Sequence, residues 1–463
     1  MNENENEALG YNRRDFLRGG SVATLMTMLG GVELFGQTNA EPSAESKAPA
    51  VKIKVGVIGL GAWGREIINT LARMPQASPP IEADIAAICD TYAASLKRTA
   101  SAAPGAVQTA DYKTILDNKD IPAVIIATPT FQHKEIVLAA LKAGKHVYCE
   151  APLAGSIEDA REIALAAKAA KHLVFQAGLQ MRSEPQSNFL LPFIRSGALG
   201  KAVQARAQWH KKTSWRTASP NPEREKALNW RLSKATSLGL IGEVGSHQID
   251  HVGWLLNALP KAVTGWGSVM FWKDDRDVPD SIQAMLEFPG GVQMIYDATL
   301  ANSFEGEYEV LYGSDAAVLM RESKAWMFKE VDSPLLGWEV YAPKTTFYKE
   351  TGITLAAGQS KPPPVDAQGK PILPDPLTTM PLFSSLGNFL RNAVDLGAAA
   401  ENYKTNYGAD DVDGMMEQLG KVQRRAAAGY LEGFQSVVTA VKANEAILSA
   451  SRIEFKPEWY ELS

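Results

Sequence analysis

Two side chains that can exchange protons, Glu243 and His247, lie four residues apart in the stretch Gly242-Glu-Val-Gly-Ser-His-Gln-Ile-Asp250. Residues four apart share one face of a helix, so the carboxylate can orient the imidazole. An imidazole held in this way is suited to act as a general base on a hydroxyl group. A single histidine is more often structural, but Asp250 and the nearby Arg231 favour a functional site here. The pattern therefore predicts acid–base chemistry by His247 and Glu243.

A glycine-rich turn in the N-terminal half predicts a dinucleotide site. The apolar run Ile53 to Ile58 leads directly into Gly59-Leu-Gly61-Ala-Trp-Gly64, and a helical pattern follows. In such a turn the first glycine permits a tight bend, the second lets backbone N–H groups approach a pyrophosphate, and the third allows close helix packing. The next apolar run ends in Asp90, whose carboxylate can accept both ribose hydroxyls and would repel a 2′-phosphate. We therefore expect NAD rather than NADP as the cofactor.

Apolar runs alternate with helical patterns to about residue 178 and predict a parallel, doubly wound sheet. Ligands of such sheets bind beyond the carboxyl ends of the strands, so residues that follow the strands are expected near the nicotinamide. The expected cofactor contacts are Gly59, Gly61, Ala62, Trp63, Gly64, Asp90, Thr128, Pro129, His133, Glu150 and Gln180.

The period of the apolar pattern changes after Gly200. Val203, Ala205, Ala207 and Trp209 alternate with polar residues, and the same two-residue period recurs as far as Arg321. This alternation predicts an open, mostly antiparallel sheet with helices on one face. The expected fold class is therefore α/β + α+β: an N-terminal Rossmann dinucleotide-binding domain followed by a C-terminal open-sheet domain. The other face of the second sheet is either solvated or an oligomer interface.

Composition excludes several classes of function. The 463 residues carry a net charge of −5 and no extended run of like charges, so nucleic acid is not an expected partner. The two cysteines, Cys89 and Cys149, have the spacing of neither a disulfide framework nor a metal site, and we expect no metal.

The first forty residues predict an export signal. Asn12-Arg-Arg-Asp-Phe-Leu-Arg18 precedes an apolar stretch, Ser21 to Val32, that is too short to span a bilayer. We therefore expect a periplasmic protein without stable membrane insertion after export. The predicted division is a twin-arginine signal peptide at 1–40, a linker at 41–51, a Rossmann NAD-binding domain at 52–178, and a substrate and oligomerisation domain at 179–463 with a proline-rich loop at 358–376.

Several ordered motifs carry a family resemblance. The glycine-rich turn, Asp90, the runs Ala127-Thr-Pro-Thr-Phe-Gln-His133 and Ala143-Gly-Lys-His-Val-Tyr-Cys-Glu-Ala-Pro152, and Gly245-Ser-His-Gln-Ile-Asp250 together resemble the Gfo/Idh/MocA superfamily of nicotinamide-dependent sugar and cyclitol oxidoreductases. The resemblance implies that Glu243 and His247 act on a substrate hydroxyl while hydride passes to the nicotinamide. It also suggests a homodimer or homotetramer built on the open sheet face.

One position departs from the family pattern. The family usually has Glu-Lys-Pro where this chain has Glu150-Ala151-Pro152, and alanine carries neither a proton nor a charge. Loss of a positioned acid or base costs roughly 10²- to 10⁴-fold in rate. Lys211 or Lys212 could replace the missing cation, and Lys211 joins His247 and Glu243 as a catalytic candidate. The expected substrate contacts are Arg182, His210, Lys212, Trp230, Arg231 and Asp250.

The missing lysine and the export signal favour the same chemistry. The family's NAD-dependent glycosidases also lack this lysine, and they oxidise a sugar hydroxyl transiently before returning the hydride. Because the periplasm has no known soluble NAD pool, an exported enzyme should retain and internally recycle its cofactor. We therefore expect redox-neutral glycoside cleavage or a related sugar conversion. The alternatives are a direct sugar or sugar–sugar oxidoreductase and a non-catalytic carbohydrate-binding protein.

Overall fold

A computed structural model describes residues 51–462 except 336, 341, 348, 357–374 and 409. The predicted signal peptide, nearly all of the predicted linker and most of the proline-rich loop lie outside the described residues. Within the described ranges, no helix has both the length and the apolar character needed to cross a membrane.

The N-terminal half forms a parallel sheet whose central strands are buried. Its strands are β1 (Val51–Ile58), β2 (Ile81–Cys89), β3 (Val107–Thr109), β4 (Ala123–Ile126), β5 (His146–Cys149) and β6 (Phe175–Ala177). The helices between them are α1 (Ala62–Leu71), α2 (Ala93–Thr99), α3 (Lys113–Asp117), α4 (His133–Lys142) and α5 (Ile157–Ala169). The described strands are ordered β3-β2-β1-β4-β5-β6, so the chain reverses direction across the sheet between β1 and β4. Ligands bind at this switch point in doubly wound sheets.

Cys89 and Cys149 end β2 and β5, and two strands separate them in the sheet. Both thiols are buried and free. Burial raises the pKa of Cys89 to about 12 and also raises the pKa of Cys149, so neither forms a reactive thiolate near neutral pH.

The C-terminal half is built on a ten-stranded sheet within the part that the structure describes. Its strands are β7 (Ala202–His210), β8 (Ala262–Ser268), β9 (Ser281–Glu287), β10 (Gln293–Thr299), β11 (Glu307–Gly313), β12 (Ala316–Arg321), β13 (Lys324–Lys329), β14 (Lys344–Phe347), β15 (Glu350–Leu355) and β16 (Ile453–Glu454). The described strands pair antiparallel except β7 and β10, which are parallel. The predicted fold class is confirmed.

Helices cover one face of this second sheet. The helices of the C-terminal half are α6 (Pro185–Arg195), α7 (Pro222–Leu228), α8 (Ser246–Leu256), α9 (Pro376–Thr379), α10 (Pro381–Tyr407), α11 (Val412–Gly420) and α12 (Tyr430–Ser449). Ala205 and Ala207 are fully buried on the covered face, whereas Arg206 between them is exposed on the other face. The alternation predicted from the sequence therefore distinguishes a core face from an open face.

Helix α10 packs on the first sheet, although it lies more than 200 residues downstream of that sheet. Phe389 makes an edge-to-face contact with Tyr148 of β5, with ring centroids 5.7 Å apart. The Gln176 amide of β6 donates hydrogen bonds to the backbone oxygen and the hydroxyl of Ser385. The N-terminal sheet is thus completed by a helix from the C-terminal part of the chain.

Candidate active site

The glycine-rich turn between β1 and α1 has the shape of a phosphate cradle. Gly59 has φ +95°, and a Cβ atom there would lie 2.6 Å from the Ala127 carbonyl oxygen. A Cβ on Gly64 would lie 1.9 Å from the Gly59 carbonyl oxygen, so these two positions exclude any side chain. A Cβ on Gly61 would meet nothing within 4 Å, which leaves open space in front of α1. That helix has no side-chain cap and no acidic residue in its first turn, so its N-terminal N–H groups can receive a pyrophosphate.

Asp90 follows β2 and holds the cradle in place. Its Oδ2 accepts a hydrogen bond from the backbone N–H of Leu60 at 3.0 Å, and its Oδ1 accepts one from Tyr92 at 2.7 Å. Each carboxylate oxygen retains a second acceptor site for a ribose hydroxyl. The acid and the turn therefore fit the adenosine half of NAD.

Two buried polar atoms without partners mark the nicotinamide end. Thr128 Oγ1 after β4 and Glu150 Oε1 after β5 are both buried and make no hydrogen bond to the described residues. Gly178 allows close approach at this point, because a Cβ there would lie 2.5 Å from Glu150 Oε2. Buried polar atoms rarely lack partners, so the pair fits a group such as the carboxamide of the cofactor.

Glu150 is also a buried group that can hold a proton near neutral pH. Burial raises the pKa of its carboxyl to about 7, and the Trp63 indole, the Ala151 backbone N–H, the Tyr148 hydroxyl and Arg231 offset part of that rise. The position before the missing lysine is therefore itself a proton-exchanging group at physiological pH.

A π-helical turn, Ile241–Gly245, precedes α8 and carries Glu243. Single π-turns of this kind often occur at functional sites. Only 4% of the Glu243 side chain is exposed. Its Oε2 accepts a hydrogen bond from Arg231 Nε at 2.9 Å, and its Oε1 accepts one from the Ser237 hydroxyl at 3.2 Å. Burial raises the pKa of this carboxyl, and Arg231 opposes the rise.

The expectation that Glu243 orients His247 is wrong. Among the described residues, no hydrogen bond joins the two side chains, since Arg231 and Ser237 occupy the Glu243 carboxylate. Asp250 is the acid that raises the His247 pKa, whereas burial has the larger effect and lowers it. The neutral His247 imidazole is therefore available as a base below its ordinary pKa.

Arg231 links the two halves of the site. Besides its ion pair with Glu243, its charge lowers the pKa of Glu150 and of His133 in the first domain. The guanidinium lies 4.5 Å from the centre of the Trp230 ring, which holds it in position. Arg231 thus provides a positive charge close to Glu150, next to which the family's lysine is missing.

Neither lysine candidate lies with these residues. Lys211 and Lys212 are exposed after β7. The charge of Lys211 lowers the pKa of Glu307. Lys212 Nζ lies 5.2 Å from the centre of the Phe271 ring. Within the described chain, neither ammonium contacts Glu243 or His247.

Two further predicted positions, His133 and His210, have structural partners. His133 is buried with its ring nitrogens 3.1 Å from the Pro152 carbonyl and 2.9 Å from the Thr128 carbonyl, so it ties two loops together instead of facing the cofactor. His210 lies on the open face of the second sheet, where its Nε2 is 2.6 Å from Asp297 Oδ2. His210 and Trp209 point to opposite faces of β7, so the structure does not bring His210 together with Glu243 and His247.

Arg182 and Asp250 bind each other and leave little capacity for a substrate. Arg182 donates from Nε and a terminal nitrogen to the two Asp250 oxygens, both at 2.8 Å. The guanidinium lies 5.3 Å from the centre of the Trp254 ring. This bidentate pair fixes α8 to the turn Gln180–Ser183 and so helps to position His247.

The segment between β7 and α8 crosses the cofactor cleft. The Arg224 guanidinium of α7 lies 4.1 Å from the centre of the Tyr92 ring, two residues past Asp90. Farther along the segment, Trp230 makes an edge contact with Phe131, with centroids 6.3 Å apart. One segment of the second domain therefore contacts the first domain near both the adenosine and the nicotinamide ends.

The structure adds Thr130 and Ser237 to the site, since the side chains of both bond the Glu243 carboxylate. Thr130 lies inside the run Ala127 to His133 that carries the resemblance, so its position was a usable signal. Nothing in the sequence indicated Ser237 or the contact between Arg224 and Tyr92.

Comparisons with known proteins agree with this geometry. The model of the oxidoreductase family with an NAD-binding Rossmann fold matches residues 53–178, and the model of the GFO/IDH/MocA C-terminal domain matches residues 192–318. Together the two models span more than half of the chain.

Curated relatives act on carbohydrates by name. Levoglucosan dehydrogenase of Pseudarthrobacter phenanthrenivorans is 29% identical over 273 residues, which cover 53% of this chain and 67% of that protein. The 2,7-anhydro-N-acetylneuraminate hydratase of Escherichia coli is 27% identical over 272 residues, which cover 58% of this chain and 67% of that protein.

Among solved structures, levoglucosan dehydrogenase in complex with NADH and levoglucosan aligns with a TM-score of 0.64 at 21% identity. The alignment covers 87% of this chain and 99% of that chain, and at this identity it shows the shared fold.

Proposed function

Because the chain belongs to the Gfo/Idh/MocA oxidoreductase family and binds NAD, we propose that it oxidises a carbohydrate hydroxyl transiently and returns the hydride before the product leaves. The observation that carries this proposal is the grouping of Glu150, Arg231 and Glu243 around a position where lysine is replaced by alanine. A guanidinium stays charged at physiological pH, so Arg231 stabilises negative charge but cannot accept the substrate proton.

The proton therefore has to move to another group. His247 is the candidate base for the hydroxyl proton, because its burial keeps the imidazole neutral near pH 7. Bound NAD⁺ would accept the hydride from the carbon that bears this hydroxyl. Arg231 and the residues that bond Glu243 keep the site polar and fixed while negative charge develops on the substrate oxygen.

The resulting carbonyl acidifies the neighbouring C–H bond. Glu150, with a pKa of about 7, is placed to take up and return a proton at this stage. Elimination of the leaving group, addition of water and return of the hydride would restore the starting cofactor. The overall reaction consumes water and transfers no net electrons.

The segment across the cleft supports retention of the cofactor. Its contacts Arg224 to Tyr92 and Trp230 to Phe131 meet the first domain two residues past Asp90 and three past Thr128, so we expect NAD exchange to require that they open. A cofactor recycled within each turnover has no need to exchange, so this cover suits a closed cycle. It also suits the proposed export to the periplasm, where the cofactor would travel with the folded protein.

A single-turnover experiment tests the proposal. Purified NAD-loaded protein is mixed with a panel of sugars and aryl glycosides, and the absorbance of reduced nicotinamide is followed alongside product release. We expect product without net accumulation of reduced cofactor. Stoichiometric reduction that stops without an added acceptor would instead establish a direct dehydrogenase.

The alternative function, direct oxidation of a sugar, is favoured by one observation, the similarity to levoglucosan dehydrogenase. Under it, the same hydroxyl oxidation by His247 ends at the ketone, and reduced cofactor has to leave or pass its hydride to a second sugar. An Arg224→Ala variant that turns over faster would favour this alternative, because release of the cofactor would then limit the rate.

We also propose that the open face of the second sheet forms an oligomer interface. Trp266 is 58% exposed on this face, and Ile295 and Met285 expose more than a third of their surfaces. Exposed apolar side chains on a flat sheet are typical of protein–protein contacts. Light scattering of the wild type should give a dimer or tetramer, and an Ile295→Lys variant should dissociate it.

A further inference from the structure

A separate cavity of about 590 Å³ lies in the second domain. It is lined by the start of α6, one side of α8, and the ends of β11 and β12. Its volume lies in the range of about 300–1,000 Å³ that is usual for small-molecule sites. None of the residues assigned to the reaction above lines it.

The cavity shares its supporting elements with the candidate active site. His251, which lines it, follows His247 by one helical turn on α8. Glu307 at its rim pairs in register with Trp209, at the end of β7 from which the segment across the cleft begins. Met181 belongs to the turn Gln180–Ser183, which directly follows the first sheet. The cavity and the candidate active site therefore lie about one helical turn apart along α8.

Buried polar atoms without partners face this cavity. Only 1% of His251 is exposed, and neither ring nitrogen makes a hydrogen bond to the described residues. Its Nδ1 lies 3.7 Å from Glu309 Oε2, too far for a hydrogen bond. Nε of Arg321, another lining residue, is also buried without a partner. An occupant that supplies both donors and acceptors would satisfy these atoms.

The lining restricts the chemistry of that occupant. Glu309 and Glu307 offer carboxylate acceptors, Arg321 and Lys324 offer donors, and Leu190 and Met320 provide apolar surface. Among the described residues, no group of three or more histidine, cysteine or acidic side chains is arranged to hold a metal ion. Hydroxyl groups both donate and accept, and the C–H face of a sugar ring packs on apolar side chains, so a sugar ring matches this lining.

We propose that the cavity binds a second sugar residue, so that the substrate is a disaccharide or a longer glycan with its reacting residue at His247. This inference rests on the proposed function in one respect, namely that a carbohydrate reacts at His247. It adds a specificity site on Glu307, Glu309 and His251 that is separate from the redox chemistry.

Equilibrium binding tests the cavity without turnover. Calorimetry on the full-length, NAD-loaded His247→Ala variant would use maltose, cellobiose, lactose and N,N′-diacetylchitobiose beside their monosaccharides. We expect at least one disaccharide to bind about tenfold or more tightly than its monosaccharide. Glu309→Gln and Glu307→Gln should remove that advantage and leave monosaccharide affinity unchanged, whereas the exposed control Glu350→Gln should change neither.

Three results would overturn the proposal. The first is the absence of any disaccharide advantage across the panel, and the second is an advantage that persists in folded Glu307→Gln protein. The third is binding of spermidine, but not of sugars, that disappears in the glutamine variants, which would assign the cavity to an ammonium ligand. If Glu309→Gln does not fold, Glu307→Gln at the exposed rim carries the test.

The proposed function fails separately from this inference. If His247→Ala retains turnover while Glu307→Gln still removes the disaccharide advantage, the chemistry is wrong and the sugar site stands. If turnover requires His247 and no disaccharide binds more tightly than its monosaccharide, the proposed chemistry stands and the second sugar site is wrong.

Discussion

Arg231 Nε lies 2.9 Å from Glu243 Oε2, and the same guanidinium lowers the pKa of Glu150 in the other domain. One cation therefore serves two buried acids that come from different domains. A lysine at position 151 would have supplied such a charge from within the first domain. In this chain the charge comes from the second domain, so the electrostatics of the site depend on how the domains meet.

Replacing Arg231 with Met should raise the pKa of Glu150 above its present value of about 7, because a nearby positive charge is lost. At pH 7 more of this carboxyl is then protonated, and a step that needs the carboxylate shifts to higher pH. We expect turnover at pH 7 to fall roughly 10²-fold. Infrared titration of the carboxyl band and the pH–rate profile measure the two effects.

Arg231→Lys retains the charge and should shift the Glu150 titration less than Arg231→Met does. Arg98, exposed on α2, provides a matched control, and Arg98→Met should leave both curves unchanged. Identical Glu150 titration in wild type and Arg231→Met would remove the proposed role of this residue.

His247→Ala should reduce turnover by roughly 10²- to 10⁴-fold while leaving NAD bound, since the imidazole serves as the base for the hydroxyl. Burial lowers the His247 pKa, so its inflection in the wild-type pH–rate profile should lie below the ordinary histidine value of about 6.5 and below the Glu150 inflection near 7. Steady-state kinetics over pH 4–8 measure both. The exposed His172→Ala variant should behave as wild type, and an equal loss there would show a non-specific effect.

Arg224→Ala should accelerate release of the cofactor, because the guanidinium above Tyr92 is part of the cover over the adenosine end. A cation–π contact contributes about 0.5–2 kcal/mol, so we expect release to become roughly 2- to 30-fold faster. Dilution of NADH-loaded protein into excess NAD⁺, followed by nicotinamide fluorescence, measures this rate. Arg216→Ala on the same segment makes no contact with the first domain among the described residues and serves as the control. Equal release rates in both variants would mean that α7 does not retain the cofactor.

His146→Asn should flatten the acid part of the stability curve. The buried His146 Nδ1 accepts a hydrogen bond from the Val174 backbone N–H at 2.9 Å, and burial lowers the pKa of this histidine to about 4. The unfolded chain binds a proton there below pH about 6.5, so the folded state loses about 3 kcal/mol between pH 6.5 and 4.

The asparagine side chain can accept the same hydrogen bond without titrating. Denaturant unfolding at several pH values compares the variant with the wild type, and the difference cancels the opposing contribution of Glu150, which both proteins share. A pH dependence that His146→Asn leaves unchanged would contradict this account.

The elements that define the cofactor site could be predicted because each is a local pattern. The turn Gly59 to Gly64, Asp90 and the ends of β4 and β5 depend on strand period and glycine positions, which sequence reports directly. His210 shows the limit of such reasoning. Its alternation with Trp209 indicates the open face, whereas the polar residues that follow it in sequence favour a substrate contact.

The partners of Glu243 could not be predicted in the same way. The spacing of Glu243 and His247 suggested a pair on one helix face, whereas the structure gives Glu243 to Arg231 and Ser237, which reach it from the preceding loops. Competition among several polar groups for one carboxylate is decided by tertiary packing, and the sequence carries no local signal for its outcome.

The packing of α10 on the first sheet also sets an order of events during synthesis. Leu382, Leu386 and Phe389 cover the same core as Val55 and Tyr148, yet the ribosome makes them more than 200 residues after β6. Until then, the part of this core that α10 covers stays exposed to water, although α1 already packs on the same core. We therefore expect a stable cofactor site only after α10 has been translated, which would make NAD loading a late step in the maturation of this protein.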